Sequence, residues 1–327
     1  MWYSRIKHIK RHIYEFLPYI TFKKIFNLIF NIIEKHLRIS SLKSYPVVLK
    51  IDPSPFCQLS CLHCNHNDSE YNKQFKFEEN LSKDSLIKII EPLKKSLIWI
   101  SLSHRGEPFM NPQLLDLIEY IHKNNIAVSL PTNFSIKLND NKIERIAKSG
   151  LDKLFISLDG ASQKTYEKYR IGGDFELVLS NVKKLSNYKT EHNLSRPKII
   201  WKFIIFDYNT HETNFVKKNY KLLGFDSYEF HYNNNGNITK EYRNKCVNNM
   251  IENKKNCFWL WHAMVIQSDG QVNPCCNGKN YNIGNAFESN LINIWKNNVY
   301  KNLRNGFKKD YFPNNLHEFC KGCYQMH

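Results

Sequence analysis

From Pro46 onward, short apolar runs alternate with stretches whose apolar residues recur at helical spacing. Six runs read as strands: residues 47–51, 97–102, 126–130, 154–158, 199–206 and 227–231. Helical periodicity fills the spaces between them at 82–95, 112–123, 140–149, 174–187 and 212–223. Ser82, followed by Ser85 and Leu86, marks a helix start, and Gly150 marks a stop. Repeated strand–helix units imply a parallel sheet, and six of them make an α/β fold of the partial (β/α)6 TIM-like barrel kind. Sites on such folds gather in loops beyond the carboxyl ends of the strands. Here those loops hold Cys57 to Cys64, Ser103 to Pro108, Thr132-Asn133, Ser157 to Gly160 and Asp207 to Asn209. The polar, chemically able residues thus fall at one end of the expected barrel.

The flanks read differently. Residues 1–46 carry nine Lys/Arg against Glu15 and Glu34, a net of +7, and Ile25, Leu28, Ile29, Ile32 and Ile33 recur at helical spacing. This predicts an N-terminal basic amphipathic helical extension packed on the main domain or on a partner. A helix lying on a membrane surface is the second reading. Beyond about residue 245, tryptophans, cysteines and turn residues dominate, and helical periodicity returns only around 291–303. The expected division is therefore 1–46 for the extension, 47–245 for the barrel and 246–327 for a small C-terminal domain. Lys23-Lys24 splits the only leader-like apolar run, and no 18 consecutive residues are apolar. A reducing cytoplasm is the expected compartment.

The chain has 327 residues, 42% of them hydrophobic and 14% aromatic, enough to build a core and to exclude disorder as the main state. The net charge of +17 raises nucleic acid as a partner. Lysine outnumbers arginine 38 to 9, however, and the basic residues are scattered, so no nucleic acid is expected. Nine cysteines, an odd number, do not make a pure disulfide framework, and in a reducing compartment clustered cysteines bind metal or do chemistry. Cys57-x3-Cys61-x2-Cys64 places three thiolates in one short loop. Three thiolates suit a [4Fe–4S] cluster with one iron left open, the arrangement that accepts an exchangeable ligand. A zinc loop completed by His63 or His66 is the alternative.

This spacing, at the end of the first strand of a partial barrel, resembles the radical S-adenosylmethionine (SAM) superfamily. The resemblance extends over residues 47–231. Arg105-Gly106-Glu107-Pro108 is similar to the family's G-G-E-P motif, which implies that Gly106 and Glu107 bind the SAM amino group. Ser157-Leu158-Asp159-Gly160 with Arg170 is similar to its S-x-D-G…R segment, which implies contacts to the SAM carboxylate and ribose. A planar guanidinium pairs well with a carboxylate. Asn209 with His211-Glu212 resembles the stretch near the adenine, where His63 is also expected, and Asn133 is a further candidate. In the second domain, Cys257, Cys275, Cys320 and Cys323 resemble the ligands of a SPASM/twitch extension. Four such ligands imply one auxiliary [4Fe–4S] cluster with every iron held by protein, a structural zinc site being the alternative. Cys276 and Cys246 read as neighbouring or packed thiols.

The resemblance implies reductive cleavage of SAM at the first cluster to a 5′-deoxyadenosyl radical, which takes a hydrogen atom from the substrate. The favoured reaction is oxidation of a small polar molecule (a sugar, aminocyclitol or nucleotide sugar), with the auxiliary cluster as electron acceptor. A maturase that modifies a peptide or protein side chain is the alternative, and an iron–sulfur scaffold or electron carrier without a SAM site is the contrasting class. Flavodoxin or ferredoxin is the implied electron donor. His104, Arg105 and Tyr208 are the catalytic candidates at the barrel mouth.

Overall fold

The computed structural model describes residues 16–67, 79–232, 257–276, 281–308 and 316–321. Cys246 and Cys323 lie outside the described residues. All six expected strands form: β1 (Val48–Ile51), β2 (Trp99–Leu102), β3 (Ala127–Thr132), β4 (Lys153–Ser157), β5 (Lys198–Ile205) and β6 (Ser227–Tyr232). They pair in parallel, each with the next in sequence. That is the connectivity of a partial (β/α) barrel.

The helical extension contributes α1 (Phe22–His36), and the connecting helices are α2 (Lys83–Ile90), α3 (Leu114–Lys123), α4 (Asp140–Lys148), α5 (Gln163–Tyr166), α6 (Phe175–Glu191) and α7 (Thr213–Asn219). Ser82 caps α2 by accepting from Ser85 N at 3.1 Å, as its position predicts. Gly150 follows α4 at φ 82°, where its missing Cβ would strike the His122 ring.

Strand alternation sorts the sheet into two faces. Leu49, Ile51, Ile100, Leu102, Val128, Leu130, Leu154, Ile156, Ile199 and Phe203 are buried, and they join the helix residues in one apolar core. The opposite, inner face mixes polar and apolar side chains. Trp99, Ser129, Lys153, Phe155 and Lys198 line one cavity of about 320 Å³ there, closed below by Phe16. Trp99 Nε1 donates to Ser129 Oγ at 2.9 Å across it. Register places Lys50 beside Ser101, and Lys202 between Ser157 and Glu229, on this same inner face.

The C-terminal segment continues the barrel sheet. After α8 (Trp259–His262), β7 (Ala263–Ile266) pairs parallel with β1 on the edge that β2 leaves free. β8 (Gln271–Asn273) and β9 (Gly284–Asn285) then add antiparallel, giving a nine-stranded sheet in the order β6-β5-β4-β3-β2-β1-β7-β8-β9. These strands are too short to show a period. The hairpin signal that was available is Asp269-Gly270 between apolar runs, with Gly270 at φ 83°. The helical stretch at 291–303 forms two helices, α9 (Leu291–Lys296) and α10 (Asn298–Asn305), broken at Asn297, whose Oδ1 accepts from Tyr300 N.

Arg304 locks this segment to the rest. It is fully buried, donates from Nε to Leu260 O at 2.7 Å and from both Nη atoms to Trp295 O at 3.1 Å. Its guanidinium lies over the Trp295 and Tyr300 rings. Arg304→Leu would strand the carbonyls of Leu260, Trp295 and Ser40, the last accepting from Nη1 at 3.4 Å, and we expect a loss of about 3 kcal/mol in denaturant unfolding, with Arg304→Lys recovering part of it.

Candidate functional site

The loop after β1 holds the three thiols. Ser60 N donates to Ile171 O and Leu62 N to Tyr169 O, both at 3.0 Å, so the loop is strapped to the segment that carries Arg170. Its entry is pinned by Gly106: a Cβ there would lie 2.2 Å from Ser54 O and 2.5 Å from Phe56 O. Glu107 N donates to Phe56 O at 2.7 Å across the same contact. Any residue larger than glycine would push the loop off β2.

Burial raises the thiol pKa of Cys57, to about 11, and that of Cys61; Cys61 and Cys64 add to the rise at Cys57, and Cys64 to that at Cys61, so the three lie close together. Two donors point at the sulfurs: Arg170 Nη1 lies 3.7 Å from Cys61 Sγ, and Asn133 Nδ2 lies 3.8 Å from Cys57 Sγ. Among the described residues no three His, Cys, Asp or Glu side chains converge as the ligands of a single ion do. Three thiols that interact without converging, under two N–H donors, suit the corners of a multi-iron cluster.

Glu107 is buried beside them. It accepts from Thr132 Oγ1 at 2.5 Å, Asn133 N at 2.7 Å and Phe109 N at 3.1 Å, which tie it to the end of β3. Arg170 donates from Nε to Asp159 at 2.6 Å, and Asp159 also accepts from Ile204 N at 2.6 Å. Ser157, at the end of β4, is also buried. Asn209 is fully buried, with Nδ2 donating to Asp159 O and Ile204 O and Oδ1 accepting from Phe206 N. Its side chain ties the loop after β5 to Asp159. Glu212 likewise straps loops together through Ala161 N and Thr165 Oγ1. His63 is exposed, at φ 58°.

The three catalytic candidates divide. His104 and Arg105 sit together beyond β2. Burial, Lys50 and Arg105 hold the imidazole pKa well below its usual value, so it is neutral and a weak base. Tyr208 lies across the mouth beyond β5, stacked on Phe206 and under Lys168. Burial lifts its phenol to about 12, which leaves it a neutral donor.

Sequence reasoning missed one buried carboxyl beside these loops. Asp52 follows β1 in the same alternation as Lys50, on the inner side of the mouth. It is buried, Oδ1 accepts from Arg105 N at 3.3 Å, and Oδ2 has no hydrogen-bond partner among the described residues. Burial lifts its pKa to about 7 against the pull of Arg105 and Lys50. Asp269, at the β7–β8 turn, also feels Arg105, so the C-terminal hairpin reaches the loop after β2.

In the second cysteine group, Cys257 and Cys320 are buried, and Cys275 and Cys276 are half-buried. Cys275 and Cys257 both raise the Tyr300 pKa, after burial. The Tyr300 hydroxyl is buried with no hydrogen-bond partner among the described residues. An orphaned donor beside two thiols is what a cluster's sulfur atoms would satisfy. Nothing in the local sequence marks Tyr300, because its value depends on where α10 packs.

A model of the radical SAM superfamily matches residues 51–196, and a SPASM model, an iron–sulfur cluster-binding domain, matches residues 257–324. The chain belongs to the radical SAM superfamily and carries a C-terminal SPASM domain. With that membership come a [4Fe–4S] cluster, SAM and auxiliary iron–sulfur binding. The mycofactocin maturase MftC of Mycobacterium ulcerans is 25% identical over 141 residues, 43% of this chain and 37% of that protein. A probable GTP 3′,8-cyclase of Methanococcus maripaludis is 29% identical over 137 residues, 41% of this chain and 44% of that protein. The alignments therefore span less than half the length of these curated relatives. Streptococcus suis SuiB bound to S-adenosylmethionine shares the fold, with a TM-score of 0.65 over 84% of this chain and 70% of that one, at 18% identity.

Asp52 generates a test independent of turnover. A carboxyl whose folded pKa is raised from 3.8 to about 7 holds its proton in the native state while the unfolded chain has lost it. Stability therefore falls as pH rises from about 4 to 7 and is level above. Asp52→Asn removes this slope, so thermal melts should show the variant gaining on the wild type across that window and keeping the gain at pH 8.

Proposed function

We propose that this enzyme oxidises a small polar molecule bearing an anionic group, of which nucleotide sugars are one class, by radical SAM chemistry. The observation that carries the reading is the charge of the inner barrel face. Lys50 and Lys202 lie on that one face, on β1 and β5, with the Arg105 charge beyond the end of β2. Burial lowers the Lys202 pKa, and Arg170 and Lys50 add repulsion that Asp159 and Glu229 offset in part. An anion bound between the lysines would relieve that repulsion. The charge of a relative's GTP substrate agrees with this reading.

Cys57, Cys61 and Cys64 hold the first cluster; Cys257, Cys275 and Cys320, with Cys323 outside the described residues, hold the auxiliary one. When bound, the first cluster and SAM supply the radical that takes a hydrogen atom from the substrate, and the auxiliary cluster supplies an electron acceptor. Gly106 and Glu107 shape the SAM amino site, and Ser157 and Arg170 its carboxylate side, with Asp159 orienting the guanidinium. Oxidation also removes a proton, and Asp52, buried with a free oxygen and a pKa near the working pH, accepts it. A flavodoxin or ferredoxin donates the initiating electron, and the surplus of lysine suits an acidic donor.

Likeness to a maturase favours a second reading, modification of a peptide or protein side chain. Lys202→Met separates the two. It should raise KM for an anionic small substrate by about tenfold or more with kcat less affected. Turnover of peptides with KM unmoved by Lys202→Met would favour the second reading. Asp52→Asn should keep SAM cleavage but lower product formation by about a hundredfold.

Iron analysis after anaerobic reconstitution tests the cluster assignment. The wild type should hold about eight irons and a Cys257/Cys275/Cys320/Cys323→Ala variant about four. Zinc in the wild type, lost in the variant with iron constant at about four, would make the second site structural.

A further inference from the structure

α1 is built inside out. Lys24, Asn31 and Glu34 are almost completely buried against the protein, while Phe22, Phe26, Ile29, Phe30, Ile33 and Leu37 are between 46% and 83% exposed. The inversion is held by specific bonds, so the helix cannot roll over. Lys24 Nζ donates to Asn125 O. Asn27 exchanges hydrogen bonds with the Tyr45 backbone at 3.0 and 2.8 Å. Asn31 donates to Ser44 Oγ at 3.0 Å and to Trp261 O, and meets His262 Nδ1. Glu34 accepts from Lys43 N at 2.6 Å and from Ser44 Oγ at 2.5 Å. Turning the apolar stripe inward would break every one of these contacts and leave buried polar groups unmatched.

A contiguous apolar stripe of this size on the surface calls for a cover. Beside it lies a cavity of about 450 Å³ lined by Phe30 together with Lys23, Lys43 and Lys95. The ammonium groups therefore stand next to the apolar stripe, the order in which a lipid leaflet presents phosphate and acyl chain. A second copy laid on this face would bring the same lysines against one another. Residues 1–15 carry Arg5, Lys7, Lys10 and Arg11 against Glu15, so they too would add like charge as a cover and add attraction beside an anionic surface. No helix among the described residues is long and apolar enough to cross a membrane, so the contact is one of lying on the surface.

We propose that the outward face of α1, with Lys23, Lys43 and Lys95, docks the enzyme on an anionic lipid surface. The contact has a direction. Phe16, Tyr19 and Lys24 attach the extension to Trp99, Asp152 and Asn125, all at the amino ends of the barrel strands. The cysteine loop lies at the carboxyl ends, so docking leaves the site mouth turned away from the lipid.

The test is sedimentation of the full-length, cluster-loaded protein with vesicles of phosphatidylcholine alone or with about one-third phosphatidylglycerol. Binding should appear on the anionic vesicles, weaken by about tenfold or more on phosphatidylcholine alone, and weaken with salt. Phe26→Asp/Ile33→Asp should abolish it, and Lys23→Glu/Lys43→Glu/Lys95→Glu should weaken it strongly. Both variants change exposed side chains, so unchanged iron content and melting temperature will show that fold and clusters are intact. Failure of the wild type to bind anionic vesicles overturns the proposal. So does a wild-type dimer in sedimentation velocity that Phe26→Asp/Ile33→Asp makes monomeric without any vesicle binding, which would give the face to a second copy. Neither result touches the assignment of the barrel site, which is read from iron and product.

Discussion

β1 has only four residues, yet it is hydrogen-bonded on both edges, to β2 on one side and β7 on the other. The barrel and the SPASM segment therefore share a single strand, and the cysteine loop leaves from its end. Displacing β1 would move Cys57, the Gly106 contact and the β7–β8 hairpin together. The close approach of Gly106 to residues 54–56 and the buried Arg304 are the two clamps that keep this arrangement in register. With β1 held in this way, the distance between the two cysteine groups is set by the sheet and not by a linker.

The two faces of that sheet do different physical work. The outer face and the helices bury aliphatic side chains, and this burial is the main stabilising term. The inner face keeps Lys202 and Asp52 in surroundings that disfavour their charges, at a cost to folding. Groups held this way cluster where chemistry is done. The same loops are rigid for an opposite reason: Asp159, Asn209 and Glu212 have their polar atoms matched by neighbouring backbone and side chains. Satisfied side chains build the walls of the site, and strained ones face its interior.

α1 applies the same accounting to the exterior. A polar stripe fixed by hydrogen bonds to the core leaves the apolar stripe outside, the reverse of an ordinary surface helix. Hydrogen-bond satisfaction decides the orientation because each buried polar group left unmatched costs about 1–3 kcal/mol, and several would be lost at once.

Much of this protein was legible in the order of its residues. Period and turn residues located β1 to β6 to within about two residues, the caps at Ser82 and Gly150, and the end of the barrel where polar loops collect. The Cys57-x3-Cys61-x2-Cys64 spacing pointed to a cluster-binding loop, because ligands within one loop are local in sequence, whereas Cys257, Cys275, Cys320 and Cys323 are far apart and were read through a family resemblance. Strands β7 to β9 escaped, being two to four residues long with no period to read. Asp52 and Tyr300 also escaped, since an orphaned polar atom exists only once distant segments have excluded water around it. The hydrogen bond of the Asn209 amide to Asp159 was not legible either, because it joins segments far apart in the chain. For α1 the sequence determined that one stripe is apolar; only the tertiary structure decided that this stripe faces out, because the partners of Asn31 lie at Ser44 and Trp261, near and far along the chain.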